Sequence, residues 1–460
     1  MFKVTVDGKI YTAEKGTLLS SLLMSDVGRV DHPCGGKGIC RKCTVLVNGK
    51  AELSCQYVIN DDITVEIPES GEVYSESGIE VSGQGSDKNS LALDIGTTTL
   101  ALAVVNENGN VSRVITQRNP QSIYGRDVIS RIEYCTKNSI TPLQKILVRA
   151  INDMIASVGA AADKMYVSGN TVMLHTLFGE DCSTMGVYPY TPVFLDGRNI
   201  SAHKLNISGV NEIISLPCIA PFVGADIVAG INCIGKPTEG KYYLLVDMGT
   251  NAEISLVGND RVICTSAAAG PCFEGVGISC GMTATEGAIY EYSENGYSTI
   301  GDREPCGICG TGLIDIIAYL LSKGIIDETG YMEKSFEIAE GIILTEGDVR
   351  QYQLAKSAIY SAIVTLLEIN DVSFDEIERL YISGGFSHKI NMDNATLTGL
   401  IPIELKDKYE SLNNSSLLGT VKYALGKNDL RRIENAEYED MSQSPLFSDL
   451  FIKNMEFNEV

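Results

Sequence analysis

Four cysteines near the N-terminus have the residue type and spacing to hold a metal centre. Cys34, Cys40, Cys43 and Cys55 lie in the segment HPCGGKGICRKCTVLVNGKAELSC, with glycines around the first two. A [2Fe–2S] cluster takes four thiolate ligands, and plant-type ferredoxins supply them from one tight loop and a later position. Glycine lets the backbone wrap closely around such a group. The segment therefore predicts a [2Fe–2S] cluster.

A structural zinc ion is the alternative occupant of these cysteines. Zinc sites usually combine two well-separated C-x2-C pairs, and only Cys40 and Cys43 form such a pair here. The loop is also one residue longer than the plant-type C-x4-C-x2-C pattern, and its last cysteine comes earlier. The spacing favours the cluster over zinc.

The flanking sequence predicts a small β-rich domain. The first 14 residues alternate as two strands, TLLSSLLMS forms a short helix, and DITVEIPE returns as a strand. We expect a β-grasp ferredoxin-like domain over residues 1–68. Residues 69–89 are rich in Ser, Gly and Glu and predict a flexible linker.

A sequence pattern appears twice in the remaining chain, 153 positions apart. LALDIGTTTLALAVV and YLLVDMGTNAEISLV each run as an apolar strand into Asp, turn through Gly-Thr, and continue as a second strand. A repeated three-stranded unit predicts two similar α/β halves, which we place at 90–238 and 239–430, with a tail at 431–460. The superimposed positions are Asp94 with Asp247, Gly96 with Gly249, and Thr97 with Thr250.

The two turns have the composition of anion-binding loops. Glycine allows main-chain N–H groups to approach an anion, side-chain hydroxyls and amides add donors, and an aspartate at a strand end holds Mg²⁺, usually through water. Two facing turns would bind the phosphates of a nucleotide from both sides. The expected contacts are Gly96, Thr97, Thr98, Gly249, Thr250 and Asn251, with Mg²⁺ near Asp94 and Asp247.

Further segments fit the same site. LYISGGFSH ends a strand at Gly384 and Gly385, where an adenosine could lie against bare backbone, and the glycine-rich segment around 270–282 offers Glu274. The helix preceding LYISGGFSH opens with the capping pair Thr345 and Asp348 and is expected to carry Lys356 on its polar side.

These segments together resemble the superfamily of actin, sugar kinases and heat-shock-protein ATPases over residues 90–425. The resemblance implies that the two turns are phosphate loops and the glycine pair is an adenosine motif. It also implies a water-orienting side chain on a helix before the second loop, for which Asp226, 21 residues ahead of Asp247, is the candidate. The alternative is that Asp226 only stabilises the helix dipole.

Composition excludes several classes of protein. The net charge of −23 argues against nucleic-acid binding, and no apolar run approaches the length of a membrane span. With no N-terminal signal and thirteen irregularly spaced cysteines, we expect a cytoplasmic protein with free thiols. Cys306 and Cys309 are interpreted as part of a glycine-rich helix entry, with a redox pair as the alternative; Arg126 and Arg131 are expected to pair with neighbouring carboxylates.

The combination resembles ATP-dependent reductive activators of corrinoid-dependent proteins. NPQSIYGRDVISRI, GNTVMLHTLFG, APFVGADIVAG, AAAGPCFEGVGISCGM and GICGTGLIDI are similar to that family. The resemblance implies ATP-dependent reduction of Co(II) corrinoid to Co(I) through the cluster, a corrinoid protein or corrinoid-dependent methyltransferase as partner, and a low-potential electron donor. This chain departs from larger members by having only a short linker between cluster domain and ATPase.

Three other functions remain open from the sequence. The ATPase could deliver electrons to another low-potential enzyme, such as a radical dehydratase. The chain could be an actin-like binding module whose cluster senses redox state, or a small-molecule kinase. The sequence leaves open whether the chain forms a homodimer. The expected fold is multidomain, α+β and α/β: a β-grasp [2Fe–2S] ferredoxin domain followed by a duplicated ribonuclease-H-like, actin-type ATPase.

Overall fold

A computed structural model describes residues 1–6, 8–23, 43–67, 89–106, 108–125, 127–159, 162–384, 390–427 and 430–457. Cys34, Cys40, Arg126, Gly385 and nearly all of the expected linker lie outside these ranges. Within them, no helix has the length and apolar character needed to span a membrane. The chain divides into two compact units, one formed by Met1–Glu72 with Pro120–Arg126 and the other by Val73–Asn119 with Asp127–Val460.

The N-terminal unit is built on a five-stranded mixed sheet. Its strand order is β2-β1-β5-β3-β4, in which β1 and β5 are parallel and the other neighbours antiparallel. Inward side chains such as Val4, Val45 and Val65 are fully buried. The predicted hairpin, short helix and returning strand are confirmed. The elements are β1 (Phe2–Val6), β2 (Lys9–Ala13), α1 (Leu19–Leu22), β3 (Thr44–Val47), β4 (Lys50–Leu53) and β5 (Ile63–Glu66).

The first half of the larger unit has a six-stranded sheet of order β10-β11-β9-β6-β7-β8. Strands β6, β7 and β8 form the predicted antiparallel meander, while β9 runs parallel to β6. The elements are β6 (Ser90–Ile95), β7 (Thr99–Val105), β8 (Val111–Arg118), α2 (Val128–Lys137), α3 (Thr141–Val158), β9 (Lys164–Gly169), α4 (Thr171–Phe178), β10 (Asn199–Ser201), β11 (Glu212–Ser215) and α5 (Ala225–Cys233).

The second half contains a sheet of order β21-β20-β12-β13-β14-β22. The helix expected before LYISGGFSH is present and begins with the predicted capping box between Thr345 and Asp348. The elements are β12 (Tyr242–Met248), β13 (Ala252–Val257), β14 (Val262–Ala267), β15 (Ala288–Ser293), β16 (Gly296–Thr299), β17 (Gly307–Ile308), α6 (Gly310–Ser322), β18 (Phe336–Ala339), β19 (Ile342–Leu344), α7 (Glu346–Ile369), β20 (Ile377–Ser383), α8 (Met392–Leu397), β21 (Tyr409–Ser411), α9 (Ser415–Ala424), β22 (Glu437–Tyr438) and α10 (Pro445–Lys453).

The two large sheets repeat the same topology. In each, a three-stranded meander is joined on its first strand by a parallel strand, β9 in one half and β20 in the other. The predicted superposition of the two aspartates and glycines agrees with this arrangement, but the register after the turn differs. Leu100 pairs with Ile95, whereas Ala252 pairs with Met248, so the second turn is one residue shorter.

Helix α9 crosses from one half to the other. It follows β21 of the second sheet, yet Leu417 and Val421 form a buried cluster with small residues of the first sheet. It also packs tightly against α5, because a β-carbon on Gly419 would lie only 1.8 Å from the carbonyl oxygen of Ala229. Only glycine fits at this crossing.

The C-terminal segment contains α10, and the residues after α10 pack on α7. Its main-chain carbonyls accept hydrogen bonds from α7: Gln353 donates to Met455 at 2.7 Å and Lys356 to Glu456 at 2.5 Å. Lys356 is 1% exposed and lies over the ring of Phe457. The expectation that Lys356 lies on a polar, accessible side of the helix is wrong, because the tail covers it.

We expect the Gly419→Ala change to destabilise the larger unit by about 2–3 kcal/mol, since the added methyl group cannot fit beside α5 and the gain in helix propensity offsets only part of the clash. Urea unfolding followed by circular dichroism measures this, because the chain contains no tryptophan. Gly235→Ala is the control, as a β-carbon there meets nothing within 4 Å. Equal unfolding midpoints for the two variants would contradict the close crossing.

A second prediction concerns the buried Lys356 amine. Burial lowers the pKa of Lys356 from 10.5 to about 8, so between these values the unfolded chain binds more protons than the folded one. The stability of the wild type relative to Lys356→Met should therefore rise from about pH 8 to about pH 10.5, by up to about 3 kcal/mol. Exposed Lys334 provides the control substitution Lys334→Met. Parallel stability curves for wild type and Lys356→Met would show that the amine is not desolvated.

Candidate functional site

The first predicted phosphate loop, residues 96–99, joins β6 to β7 and is held by Asn119. The main-chain N–H of Gly96 donates to the Thr99 carbonyl at 3.0 Å. The amide side chain of Asn119 donates to the Gly96 carbonyl, and its main-chain N–H donates to the Thr98 carbonyl, both at 2.8 Å. Asn119 thus fixes the loop at two carbonyls.

Arg131, on α2, holds the same loop from a buried position. Its guanidinium donates to the Thr97 carbonyl at 2.5 Å, and it is fully buried. Burial lowers the pKa of Arg131 to about 9, against the opposing charge of Asp127. The charge of Asp127, the expected carboxylate neighbour, therefore acts on Arg131. The hydrogen bond from Arg131 to the Thr97 carbonyl was not predicted.

Because the loop carbonyls face protein donors, the opposite edge of the loop presents N–H groups. In a trans peptide the C=O of one residue and the N–H of the next point in opposite directions. The carbonyls of Gly96 and Thr97 are taken by Asn119 and Arg131. The N–H groups of Thr97 and Thr98 therefore point away from them, as an anion-binding loop requires.

The second predicted loop, residues 249–251, joins β12 to β13. The N–H of Gly249 donates to the Asn251 carbonyl at 2.9 Å. The hydroxyl of Thr250 donates to a carboxylate oxygen of Glu274 at 3.1 Å. Glu274 lies in a short 3-10 helix at Pro271–Glu274. The structure thus places Glu274 directly beside the second loop.

The three predicted carboxylates lie close enough to repel one another. Asp94 and Asp247 occupy equivalent places near the ends of β6 and β12, and Asp226 lies in the first turn of α5. Burial, followed by the charges of Asp247 and Asp94, raises the pKa of Asp226 to about 7. Burial, followed by the charge of Asp94, raises the pKa of Asp247 to about 6. Perturbed carboxylates of this kind are typical of functional sites.

Glu253 is a fourth carboxylate of the site that the sequence reasoning missed. It pairs directly with Asp247 across β12 and β13. Burial raises its pKa well above the ordinary value, and the charges of Asp226 and Asp247 act in the same direction. The available signal was a single charged residue in the largely apolar run AEISLV.

A second repeat, also missed, lines the two parallel strands. YVSG at 166–169 ends β9, and YISG begins at Tyr381 near the end of β20. Ser168 pairs with Asp94, and Ser383 pairs in the same way with Asp247. The glycine after each serine allows a main-chain carbonyl of the neighbouring strand to approach closely. A β-carbon on Gly384 would lie 2.3 Å from the Met248 carbonyl oxygen.

Several predicted residues lie elsewhere. Lys356 is covered by the C-terminal segment, with its amine bound to the Glu456 carbonyl, and Gly385 lies outside the described residues. The thiol of Cys309 is buried and donates to the Ile289 carbonyl at 3.3 Å, while Cys306 is exposed. Within the described ranges, no three His, Cys, Asp or Glu side chains are arranged to hold a metal ion directly.

In the N-terminal unit, two of the four predicted cluster cysteines lie together. Cys43 and Cys55 are 1% and 4% exposed, and the neighbouring Cys55 thiol acts on Cys43, whose pKa is raised mainly by burial. The amide of Gln56 lies 3.7 Å from the Cys55 sulfur and donates to it. Adjacent thiols with an N–H donor facing one sulfur fit a cluster environment; Cys34 and Cys40 lie outside the described residues.

Two known proteins are similar to this chain over most of its length. A corrinoid activation enzyme, RamQ, from Eubacterium limosum is 26% identical, with 93% of this chain and 94% of that protein aligned. The [Co(II) methylated amine-specific corrinoid protein] reductase of Methanosarcina barkeri is also 26% identical, covering 80% of this chain and 76% of that protein.

A solved structure supports the fold. The structure described as a reductive activator for corrinoid, iron–sulfur protein superposes with a TM-score of 0.71, covers 99% of this chain and 98% of its own, and is 24% identical. At this identity the likeness shows the shared architecture.

Two family models match consecutive parts of the larger unit. Residues 89–235 match the RACo middle region, and residues 241–460 match the C-terminal domain of RACo, described as the ASKHA domain. The two matches occur in chain order and adjoin near the boundary between the two halves. They cover the unit whose two sheets have the actin-like fold. The chain belongs to the RACo family of reductive activators.

Proposed function

We propose that this protein uses ATP hydrolysis to drive an electron from a [2Fe–2S] cluster in its N-terminal unit to a Co(II) corrinoid on a partner protein, forming Co(I). The observation that carries the proposal is the joining of two units in one chain. One brings the thiols of Cys43 and Cys55 together, and the other brings two Asp-x-Gly-Thr loops and four carboxylates together. A low-potential donor would reload the cluster.

The two loops would bind the phosphates of ATP from the two halves. The N–H groups of Thr97 and Thr98 on one side, and the loop of Gly249, Thr250 and Asn251 on the other, supply donors. Asp247 and Asp94 would hold Mg²⁺ through its water ligands, since the described carboxylates do not converge on one point. Gly384 and Gly385 would lie against the adenosine.

Asp226 is the residue proposed to orient the attacking water. Its raised pKa of about 7 makes it a stronger base than an ordinary carboxylate while leaving it ionised in part at neutral pH. Phosphoryl transfer depends mainly on positioning and on stabilisation of charge. Glu274, fixed by Thr250, would orient the second loop.

Coupling to ATP has an energetic reason. A bound [2Fe–2S] cluster supplies single electrons, with plant-type clusters near about −400 mV. Each further 100 mV costs about 2.3 kcal/mol per electron, so transfer to a lower-potential acceptor needs a second source of free energy. ATP can provide it if the nucleotide-bound and hydrolysed states bind the acceptor differently. The names of the relatives point to a corrinoid protein as that acceptor.

The direct test is the reduction of a purified Co(II) corrinoid protein, followed by visible absorbance without oxygen. The reaction contains this protein with its cluster reconstituted, a low-potential reductant, Mg²⁺, and ATP or a non-hydrolysable analogue. We expect Co(I) bands only with ATP, and their loss in Cys43→Ser, because that change removes a cluster ligand. Asp226→Asn should prevent the ATP-dependent formation of Co(I), because this change stops ATP hydrolysis.

Cys306→Ser is the matched control, since this thiol is exposed and outside the proposed cluster. It should leave Co(I) formation unchanged. Co(I) formation without ATP would contradict the coupling. Turnover of ATP with no reduction of any corrinoid protein would favour another acceptor, and absence of ATP turnover would favour a binding module.

The pH dependence of ATP hydrolysis tests the role of Asp226. An ionised base with a pKa near 7 predicts that turnover falls as the pH drops through about 7. Asp247→Asn removes a repelling charge, so the acidic limb of the residual activity should move to lower pH. Asp260→Asn, in an exposed turn, is the control and should leave the limb in place. If the acidic limb of ATP hydrolysis in Asp247→Asn stays at the wild-type pH, Asp226 is excluded as the titrating group.

A further inference from the structure

The first turn of α9 binds both carboxylate oxygens of Asp94. The Ser416 hydroxyl donates to one oxygen at 2.7 Å, and the Asn414 amide donates to the other at 3.1 Å. Asn414 is also the N-cap of α9, because its side-chain oxygen accepts from the Leu417 N–H at 2.8 Å. Asp94 is only 8% exposed. It therefore lies against the positive end of a helix that stabilises its charge.

A chain of hydroxyl groups extends this contact into the first sheet. Ser416 lies 2.9 Å from Ser168, the serine that pairs with Asp94 across β6 and β9. Either hydroxyl can be the donor in the contact between Ser168 and Ser416. The Thr420 hydroxyl, one turn later on α9, lies 2.7 Å from both the Ser168 hydroxyl and the Ser416 carbonyl. All three hydroxyls are buried.

The neighbouring residue on α9 reaches the opposite half. The hydroxyl of Ser415 lies 2.7 Å from that of Ser383 at the end of β20. Ser383 is the cross-strand partner of Asp247 and hydrogen-bonds to its carboxylate, which opposes the rise in its pKa. Ser415 and Ser383 are 1% and 2% exposed, so water does not compete for this contact.

We infer that the first turn of α9, residues 414–416, is a positioning device that sets the placement of Asp94 and Asp247 relative to each other. Two adjacent side chains on one rigid turn, Ser415 and Ser416, bind the two halves of the site. If the separation of the two halves changes, the turn must move together with both halves. Otherwise either the Ser415–Ser383 contact or the Ser416–Asp94 contact breaks. The inference rests on the proposed hydrolysis of ATP. These residues act through the aspartates and are positioning residues.

This arrangement gives Asp94 and Asp247 different freedom. Both carboxylate oxygens of Asp94 accept hydrogen bonds from Asn414 and Ser416. Asp247 interacts with Ser383, and burial, followed by the charges of Asp94 and Glu274, raises its pKa. Asp94 therefore links α9 to the first half in addition to its proposed role toward Mg²⁺. Asp247 is the less restrained of the two aspartates.

The test compares Ser415→Ala, Ser416→Ala and the double variant in steady-state ATP hydrolysis. Misplacement of catalytic groups without loss of the phosphate loops should lower kcat by about tenfold or more in each single variant and leave KM within about twofold. The double variant should lose no more than about twice as much as the worse single variant, since one turn acts as a unit.

Thr365→Val is the matched control, because within the described residues this buried hydroxyl on α7 has no hydrogen-bond partner. It should keep the wild-type kcat. Circular dichroism at the assay temperature establishes that each variant is folded. Wild-type kcat in both folded serine variants, or independent and multiplicative losses in the double variant, would overturn the inference while leaving the proposed function intact. Absence of ATP turnover in the wild type would overturn the proposed function itself.

Discussion

The architecture of the larger unit depends on the close crossing of α5 and α9. At this crossing Gly419 lies against the Ala229 carbonyl, with no space for a β-carbon. The N-terminus of α5 carries Asp226, and the N-terminus of α9 binds Asp94. The glycine contact therefore fixes the positions of the two helix ends that carry Asp226 and bind Asp94. The distances within the site follow from the packing of these two backbones.

The two halves share a topology but not a chemistry. Both sheets end their first strand in an aspartate beside a serine on a parallel strand. Only the second half adds a carboxylate on the following strand, because Glu253 faces Asp247 where the first half has Ala101 facing Asp94. Asp94 is satisfied by α9, whereas Asp247 has charged neighbours. The site is thus asymmetric, because Asp247 and Glu253 lie on adjacent strands of the second half.

The repeated meander could be predicted because each copy is contiguous and its aspartate, glycine and threonine have clear local roles. The contacts that α9 makes could not, since 322 residues separate Ser416 from Asp94 and a serine at a helix start is usually only a cap. Glu253 could have been found from the sequence, as the one charged residue in a largely apolar strand. Lys356 was misplaced because an amphipathic pattern shows which face is polar, not what covers it; main-chain carbonyls of the tail satisfy that face.

Helix α9 has a consequence for the order of folding during synthesis. The first sheet, complete in sequence by residue 215, covers one face with Leu417 and Val421. The ribosome adds these residues about 200 positions later, which at about 5–20 residues per second takes about 10–40 seconds. During this interval the small side chains Ala92, Ala101 and Ala103 have no native cover. The first half of the larger unit therefore cannot complete its core until α9 has been synthesised.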